Sequence, residues 1–211
     1  MAMALRVVVP PHPLLSHWLT VLRDRQTPQP LFATALAELG RWLSYEALRD
    51  WLPHREIELQ TPLATVTGQV VDASVPLLAI VALPAGLGLW QGAQAVLPAA
   101  QLALVAADQQ TVALPQAIGP TTGVLLFWPQ VDEPEPLLEL LDRLADQGIT
   151  GQRLRLITTL AAAPALHSIG ESHGALTLYT AAIDPDLDEQ GRIVPGIGPV
   201  TSRLLGYSEA N

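Results

Sequence analysis

Residues 123–148 read GVLLFWPQVDEPEPLLELLDRLADQG, and this stretch predicts the fold class. Its first six residues, Gly123 to Trp128, carry no charge, which is typical of a buried strand. From Leu137 to Gly148 the apolar spacing is that of an amphipathic helix that ends at a glycine. A strand that passes through a short loop into a helix is the repeating unit of α/β proteins, so this stretch favours that class.

The loop between this strand and this helix is unsuited to holding a bare phosphate. Many α/β proteins bind phosphate at this point, because free backbone N–H groups converge at the helix start. Here the loop contains no glycine, serine or threonine, and its acids and prolines are Asp132, Glu133, Glu135, Pro129, Pro134 and Pro136. Proline has no N–H to donate, and carboxylates repel phosphate. The sequence therefore predicts the fold more readily than the function.

The composition indicates a globular protein. Hydrophobic residues make up 49% of the 211 and charged residues 15%, which suits a single domain with an apolar core. The net charge of −9 argues against nucleic acid and anionic membrane surfaces as partners, since both need basic patches. Cysteine is absent, which excludes disulfides and thiolate chemistry. Neither a signal peptide nor a membrane span is predicted, so we expect a cytoplasmic protein.

Strands and helices alternate along the second half of the chain. Apolar runs predict buried strands at residues 75–83, 102–106, 123–128, 153–160 and 175–181. Before and beside them, the patterns predict helices at residues 14–25 and 30–51, one or two strands at residues 56–71 broken at Pro62 and Gly68, and a short strand at residues 111–118. The tail, residues 198–207, reads as a loop. This alternation predicts an α/β protein with a parallel sheet.

Six segments of the chain resemble uracil phosphoribosyltransferases. They are HPLLSHWLTVLRD (12–24), LSYEALRD (43–50), TPL (61–63), PAGLG (84–88), YTAAIDPDLDEQGRIVPGIG (179–198) and RLLGY (203–207). The resemblance implies a phosphoribosyltransferase-type parallel sheet flanked by helices, and a homodimer. It divides one domain, residues 1–211, into a helical arm (1–55), a small β hood (56–74) and an α/β core (75–211).

The same resemblance implies that groups handling phosphoribosyl pyrophosphate (PRPP) are missing. The ribose-phosphate loop of the family falls on residues 128–136, called the acidic loop below, so we expect a degenerate PRPP loop at Trp128, Pro129, Asp132 and Glu133. Pro84 stands where the family has one phosphate-binding arginine. A second arginine, from a Tyr-Arg-Asp triplet, is replaced in residues 106–108, and the mobile loop after it is shortened. Pro-Val-Thr-Ser at 199–202 replaces Asp-Ala-Gly-Asp.

The turn that reads the base in this family is retained at residues 193–198. In the family, the base lies against this turn and is read largely by main-chain groups. The resemblance therefore implies a vestigial uracil-like pocket at Ile193, Gly196, Ile197 and Gly198. Arg192 occupies the place of the family's stacking aromatic residue, and an arginine can also stack on a ring.

Several residues allow both a functional and a structural interpretation. Gly86 and Gly88 follow an apolar run, either as a phosphate turn or, as the spacing favours, as a tight strand-to-helix turn. Asp132 and Glu133 either hold ribose hydroxyls or, as we prefer, favour the N-terminus of the following helix. Phe127 and Trp128 belong to the core, fill a closed pocket or mark a partner surface. The histidines lack metal-ligand spacing, so no metal site is predicted.

These departures favour a catalytically inactive member of the family that acts as a binding, scaffold or regulatory component. We expect it to be a homodimer with an unidentified protein partner and without a cofactor. The alternative is an active enzyme that converts uracil and PRPP to UMP and pyrophosphate with Mg²⁺ and an altered site. A further alternative is a sensor of uracil or a uridine nucleotide. Neither nucleic acid nor a membrane is expected as a partner.

Overall fold

The computed structural model describes residues 4–97, 99–106, 114–115 and 117–207. Its helices and strands follow in the order β1 (Arg6–Val8), α1 (Pro13–Arg23), α2 (Gln29–Leu48), β2 (His54–Gln60), β3 (Thr65–Val71), β4 (Leu77–Leu83), α3 (Gly86–Ala93), β5 (Gln101–Ala106), β6 (Gly123–Phe127), β7 (Gln130–Val131), α4 (Glu135–Asp146), β8 (Leu154–Ala162), α5 (Ala163–Ser172), β9 (Thr177–Asp184), β10 (Asp186–Leu187), β11 (Ile193–Val194) and α6 (Val200–Leu205).

A seven-stranded parallel sheet forms the centre of the fold. Its order is β1-β9-β8-β6-β4-β5, and β7 pairs with β8 just past the end of β6. All nine residues of β8 are buried, and six of them are apolar, as expected of a strand covered on both faces. In a parallel sheet all strands begin at one edge and end at the other, so the molecule has an amino edge and a carboxyl edge. The predicted α/β class with a parallel sheet is confirmed.

Helices α2 and α3 pack against each other through glycines. A Cβ atom on Gly40 would lie 2.0 Å from the Leu89 carbonyl oxygen, and one on Gly92 would lie 1.6 Å from that of Ala37. Only glycine permits so close an approach of the two helix backbones. This contact lets α2, with Phe32, Leu36 and Leu39 fully buried, cover the sheet.

Strands β2 and β3 form a separate antiparallel hairpin that is largely exposed. Its register runs from His54 opposite Val71 to Gln60 opposite Thr65. The predicted break at Gly68 is wrong, because Gly68 lies within β3 and pairs with Ile57. Its missing side chain leaves room for Leu59, whose Cδ2 would lie 2.7 Å from a Cβ atom at this position.

Two segments that were predicted as loops contain regular structure. In the acidic loop, Gln130 and Val131 form β7, because β8 extends beyond β6 and offers them a free edge. In the tail, residues 200–205 form α6, which starts after Pro199 and ends at Gly206 with a left-handed φ of +76°. Half of the predicted strand at residues 111–118 lies outside the described residues, and the described half, residues 114, 115, 117 and 118, is not in a strand. Among the described residues, no helix combines the length and apolarity needed to cross a bilayer.

Candidate functional site

The candidate site is a turn at the carboxyl edge of the sheet. Strand β9 ends at Asp184, and the chain then makes the short β10–β11 hairpin and enters the turn at residues 193–198. Gly196 has a φ of +64°, and a Cβ atom there would lie 2.2 Å from the Ile193 carbonyl oxygen. The glycine at this position is therefore required by the tightness of the turn.

Arg23 and Asp184 hold the Gly196 peptide from both sides. The Asp184 carboxylate accepts the Gly196 N–H at 2.9 Å, and Arg23 Nη1 donates to the Gly196 carbonyl oxygen at 3.0 Å. The two side chains also pair with each other, at 2.6 and 2.9 Å. Burial raises the pKa of Asp184, but the hydrogen bonds from Arg23 and Gly196 outweigh it, so this pKa lies below its ordinary value. The carboxylate is thus kept ionised and fixed.

Arg203 holds the next peptide of the turn. Its guanidinium donates to the Ile197 carbonyl oxygen at 2.8 Å, to that of Asp24 at 2.6 Å, and to that of Leu22. Its Cζ lies 4.3 Å from the centre of the Phe32 ring. Burial lowers the pKa of Arg203. The turn is therefore tied to the end of α1 and to α2 by two arginines, which leaves its backbone little freedom.

A cleft of about 420 Å³ opens beside the turn. It is lined by Arg23, Arg25, residues 195–199, Ser202, Arg203 and Tyr207. Among the hydrogen bonds of the described residues, the N–H groups of Ile197 and Gly198 find no protein acceptor, and Arg25 is exposed without a partner. The cleft is therefore lined by two residues whose N–H groups have no protein acceptor among the described residues, and by a free cation.

Arg192 lies on the turn of the β10–β11 hairpin. Its Nε donates to Asp188 Oδ2 at 2.7 Å and its Nη2 to Gln190 Oε1 at 3.0 Å. The N–H of Arg192 bonds to Asp188, and this bond is the main reason why the pKa of Asp188 lies below its ordinary value. The guanidinium at the place of the family's stacking aromatic residue is thus engaged within the hairpin.

The acidic loop lies against this hairpin. A Cβ atom on Gly191 would lie 3.6 Å from Glu133 Oε1, so the loop and the hairpin turn face each other at the carboxyl edge. Asp132 accepts the Gln130 side-chain amide at 2.7 Å and the Glu133 N–H at 2.9 Å. Glu133 itself is exposed, and its carboxylate has no protein partner among the described residues. The loop thus offers one structural carboxylate and one free carboxylate.

Phe127 and Trp128 belong to the core. Phe127 is fully buried and meets the Trp90 ring edge-on at 5.6 Å, and Trp128 is 7% exposed. The Trp128 N–H bonds to the Ile157 carbonyl oxygen, and Pro129 accepts the Thr159 N–H at 3.0 Å. The interpretation of the aromatic pair as an exposed partner surface is therefore wrong, since β8 holds this segment in the sheet.

Gly86 and Gly88 lie in the first turn of α3. A Cβ atom on Gly86 would lie 2.9 Å from the Phe127 carbonyl oxygen, and one on Gly88 would lie 2.4 Å from Leu36 Cδ2. Neither glycine has a positive φ. Their absence of side chains is explained by close packing of α3 against β6 and α2.

Sequence reasoning missed the residues that hold the turn. Arg23 lies in the LRD segment and Asp184 in the AID segment, so both were within the resembling stretches without being assigned a role. They are 161 positions apart, and no local pattern connects them. Within the part of the chain that the structure describes, no group of three or more histidine, aspartate or glutamate residues could hold a metal ion.

The comparisons with known proteins agree with this architecture. The family model for uracil phosphoribosyltransferase matches residues 9–206. A uracil phosphoribosyltransferase of Synechococcus elongatus is 45% identical, over 98% of this chain and 99% of its own. The AQ2163 protein of Aquifex aeolicus superposes with a TM-score of 0.85 at 24% identity, covering 97% of this chain and 100% of its own. Orotate phosphoribosyltransferase of Mycobacterium tuberculosis gives 0.50 at 14% identity, covering 82% and 90%.

These relatives correct the main functional expectation. The inactive interpretation rested on the replacement, one by one, of residues that handle phosphate in the family. Relatives between 37% and 45% identical over 95–98% of this chain bear the name uracil phosphoribosyltransferase, so the inactive interpretation is wrong. The inactive interpretation treated each replacement as an uncompensated loss, and Arg25 lines the cleft beside the turn as a cation that this count left out.

Proposed function

The chain belongs to the uracil phosphoribosyltransferase family, and on that premise we propose that it converts uracil and PRPP to UMP and pyrophosphate. In this reaction N1 of uracil forms a bond to C1′ of the ribose. The bond between C1′ and the pyrophosphate oxygen breaks, pyrophosphate leaves with the bonding electrons, and the N1 proton passes to solvent. The atoms balance without an oxidant or reductant.

The rigid turn at residues 193–198 is the observation that carries this proposal. Uracil presents two carbonyl oxygens, and the turn presents the N–H groups of Ile197 and Gly198 without protein acceptors among the described residues. Because Arg23, Asp184 and Arg203 already occupy the other polar groups of Gly196 and Ile197, these donors are held in place before a base binds. Donors that are already fixed suit a flat base with carbonyl oxygens. A ligand that required these donors to move would bind more weakly, because the movement costs free energy.

Mg²⁺ fits the acidic loop better than bare phosphate does. Mg²⁺ is commonly held by one or two carboxylates together with substrate phosphates and water. Glu133 offers an exposed carboxylate without a described partner at the carboxyl edge, next to the hairpin turn. We propose that Glu133 helps to hold PRPP through Mg²⁺ and that Arg25 supplies positive charge beside the turn. The metal would supply charge neutralisation for the leaving pyrophosphate.

A homodimer is part of the same proposal. The β2–β3 hairpin exposes Leu59, Leu63 and Val66, and Leu63 is 97% exposed. An isolated two-stranded hairpin is marginally stable in water, so a second copy of the chain that covers it would stabilise it. Light scattering coupled to gel filtration distinguishes a mass of two chains from that of one, and deletion of residues 56–71 is expected to leave a monomer.

An assay of UMP formation tests the activity. The purified chain is supplied with uracil, PRPP and Mg²⁺, and UMP is measured by chromatography. Gly196→Ala is expected to abolish UMP formation, because the added Cβ would collide with the Ile193 carbonyl oxygen and distort the turn. Gly148→Ala is the matched control, since Gly148 also has a positive φ, +75°, but no atom lies within 4 Å of its Cβ position. Failure of the native chain to form UMP at millimolar substrates would refute the proposal.

A further inference from the structure

A second group of basic side chains lies at the amino edge of the sheet. Arg6 of β1, Thr177 of β9 and Arg155 of β8 are register partners on three adjacent strands. Register partners on neighbouring parallel strands point to the same face, with about 4.8 Å between strands. The two arginines therefore flank Thr177 in one row on one face of the sheet.

Arg155 is buried without a counter-charge. The residue is 7% exposed, its Cζ lies 5.4 Å from the centre of the Trp51 ring, and its Nη1 makes a long bond of 3.3 Å to the Leu154 carbonyl oxygen. Its Nε is buried and has no hydrogen-bond partner. Among the described residues, neither Arg155 nor Arg6 forms an ion pair. A buried charge without a partner is costly, so such an arrangement calls for an anion.

Arg153, at the same edge, is satisfied where Arg155 is not. Arg153 lies two residues earlier at the same edge, and its guanidinium donates to the carbonyl oxygens of Gly119, Thr122 and Gly148. The fold therefore satisfies a structural arginine at this edge with backbone acceptors. Stacking on Trp51 accounts for the position of the Arg155 side chain but leaves its Nε without an acceptor.

A cleft of about 490 Å³ lies over this row. Its lining includes Arg6, Arg155, Thr177, Trp51, Gln152 and Asp50. Asp50 is exposed, and it pairs with neither arginine. Seven residues of β8 separate Arg155 from the carboxyl edge at Ala162, a distance of roughly 20 Å, so this cleft is distinct from the candidate site.

We propose that the amino-edge cleft binds a phosphate group, which accepts hydrogen bonds from Arg155, Arg6 and the Thr177 hydroxyl. Arginine presents donors in a planar fork that matches phosphate oxygens, and a bond between two ions is about twice as strong as a neutral one. The phosphate comes either from free inorganic phosphate or from a phosphorylated small metabolite. The proposal concerns the opposite edge from the turn and does not depend on the UMP-forming activity.

Titration calorimetry with inorganic phosphate and, separately, with ribose 5-phosphate tests this site. Arg6→Gln and Arg155→Gln are each expected to weaken binding roughly ten-fold or more, because each removes a charged donor. Asp50→Asn is expected to tighten binding, because it removes a carboxylate from the cleft. Arg6 and Asp50 are exposed, so their variants keep the test valid even if Arg155→Gln does not fold. Tighter binding of one probe identifies the source of the phosphate.

Binding at the carboxyl edge is the main competing outcome. The Gly196→Ala variant, which disrupts the turn, is expected to bind phosphate as the native chain does. Loss of phosphate binding in Gly196→Ala, together with unchanged binding in Arg6→Gln, would place the anion at the turn and overturn the proposal. Absence of binding to the native chain at 10 mM of either probe, on the order of the weakest useful affinity, would overturn it as well.

Discussion

The two edges of the sheet use their arginines in opposite ways. At the carboxyl edge, Arg23 donates to a carboxylate and a carbonyl, and Arg203 donates to three carbonyls. At the amino edge, Arg155 is more deeply buried and makes one long bond to a carbonyl. The first two hold the backbone of a turn, whereas the third keeps a donor unused.

This difference teaches that burial of a charge does not define its role. A partly buried arginine that donates to protein acceptors is part of the scaffold, and removing its charged partner leaves its charge uncompensated. A buried arginine without acceptors is a cost to the fold unless something outside the chain supplies them. We therefore expect similar substitutions at the two edges to change the free energy of unfolding in opposite directions.

Asp184→Ala is expected to have the largest effect. It leaves Arg23 without a counter-charge and the Gly196 N–H without an acceptor, and we expect a loss of about 3 kcal/mol in the free energy of unfolding. Uracil binding is expected to be lost as well, because the turn is no longer held. Urea denaturation and calorimetry measure the two effects.

Asp188→Ala is the matched control for Asp184→Ala. Asp188 also pairs with an arginine, at 2.7 Å, but Arg192 in that pair is 66% exposed at its side chain. An exposed ion pair contributes little to stability, so this variant is expected to unfold at nearly the native urea concentration. Equal losses in the two variants would contradict the special role of the carboxyl-edge pair.

Glu133→Gln is expected to have an intermediate effect on the proposed reaction. If the free carboxylate of Glu133 helps to hold Mg²⁺ with PRPP, its loss raises KM for PRPP roughly ten-fold, with KM for uracil unchanged. Steady-state kinetics with each substrate varied in turn separate the two constants. Glu139→Gln, on the exposed face of α4, removes the same charge at a position away from the hairpin. An identical rise in KM for PRPP in this variant would show that the effect comes from net charge and not from the position of Glu133.

Arg155→Met, at the amino edge, is expected to stabilise the folded chain, whereas Asp184→Ala destabilises it. Methionine keeps the length and the contact with Trp51 and removes an unpaired buried charge, so we expect the free energy of unfolding to rise by about 1 kcal/mol in phosphate-free buffer. The same substitution at Arg23 is expected to destabilise, because it leaves Asp184 unpaired. Urea denaturation gives the free energy of unfolding of both variants. An equal loss in Arg155→Met and Arg23→Met would contradict the difference between the two edges.

The fold was predictable because its strands carry their signal locally. The run at residues 77–83 is apolar throughout, and the run at 154–162 is apolar apart from Arg155, Thr158 and Thr159; a strand covered on both faces is rich in apolar residues. The strand β7 and the helix α6 were missed, because β7 depends on a free edge of β8 that no local pattern records, and α6 has only six residues.

The candidate site was predictable only in its turn. The resemblance located residues 193–198, and the structure places them on a rigid turn with free N–H donors. The pair of Arg23 and Asp184 was not predictable, since a contact across 161 positions arises only when α1 lies beside the end of β9. The inference of inactivity rested on the groups that the acidic loop lacks, and the relatives named uracil phosphoribosyltransferase show that it was wrong.

The pH dependence of stability gives the smallest but most specific effect of the carboxyl-edge pair. The pKa of Asp184 in the folded chain lies below its ordinary value of about 3.9, so the ionised form is favoured by folding. Its contribution to the free energy of unfolding is fully present above that value and is lost as the pH falls through the lower, folded pKa. Asp184→Asn has no carboxylate to titrate, so the stability difference between the native chain and this variant is expected to shrink between pH 6 and pH 3, on the order of the range that carboxyl titration covers. Urea denaturation across that range measures this difference.

Asp188→Asn, at an exposed pair, is expected to show a smaller change with pH. If the difference in the free energy of unfolding between the native chain and Asp184→Asn stays constant with pH, the Asp184 charge does not hold the turn.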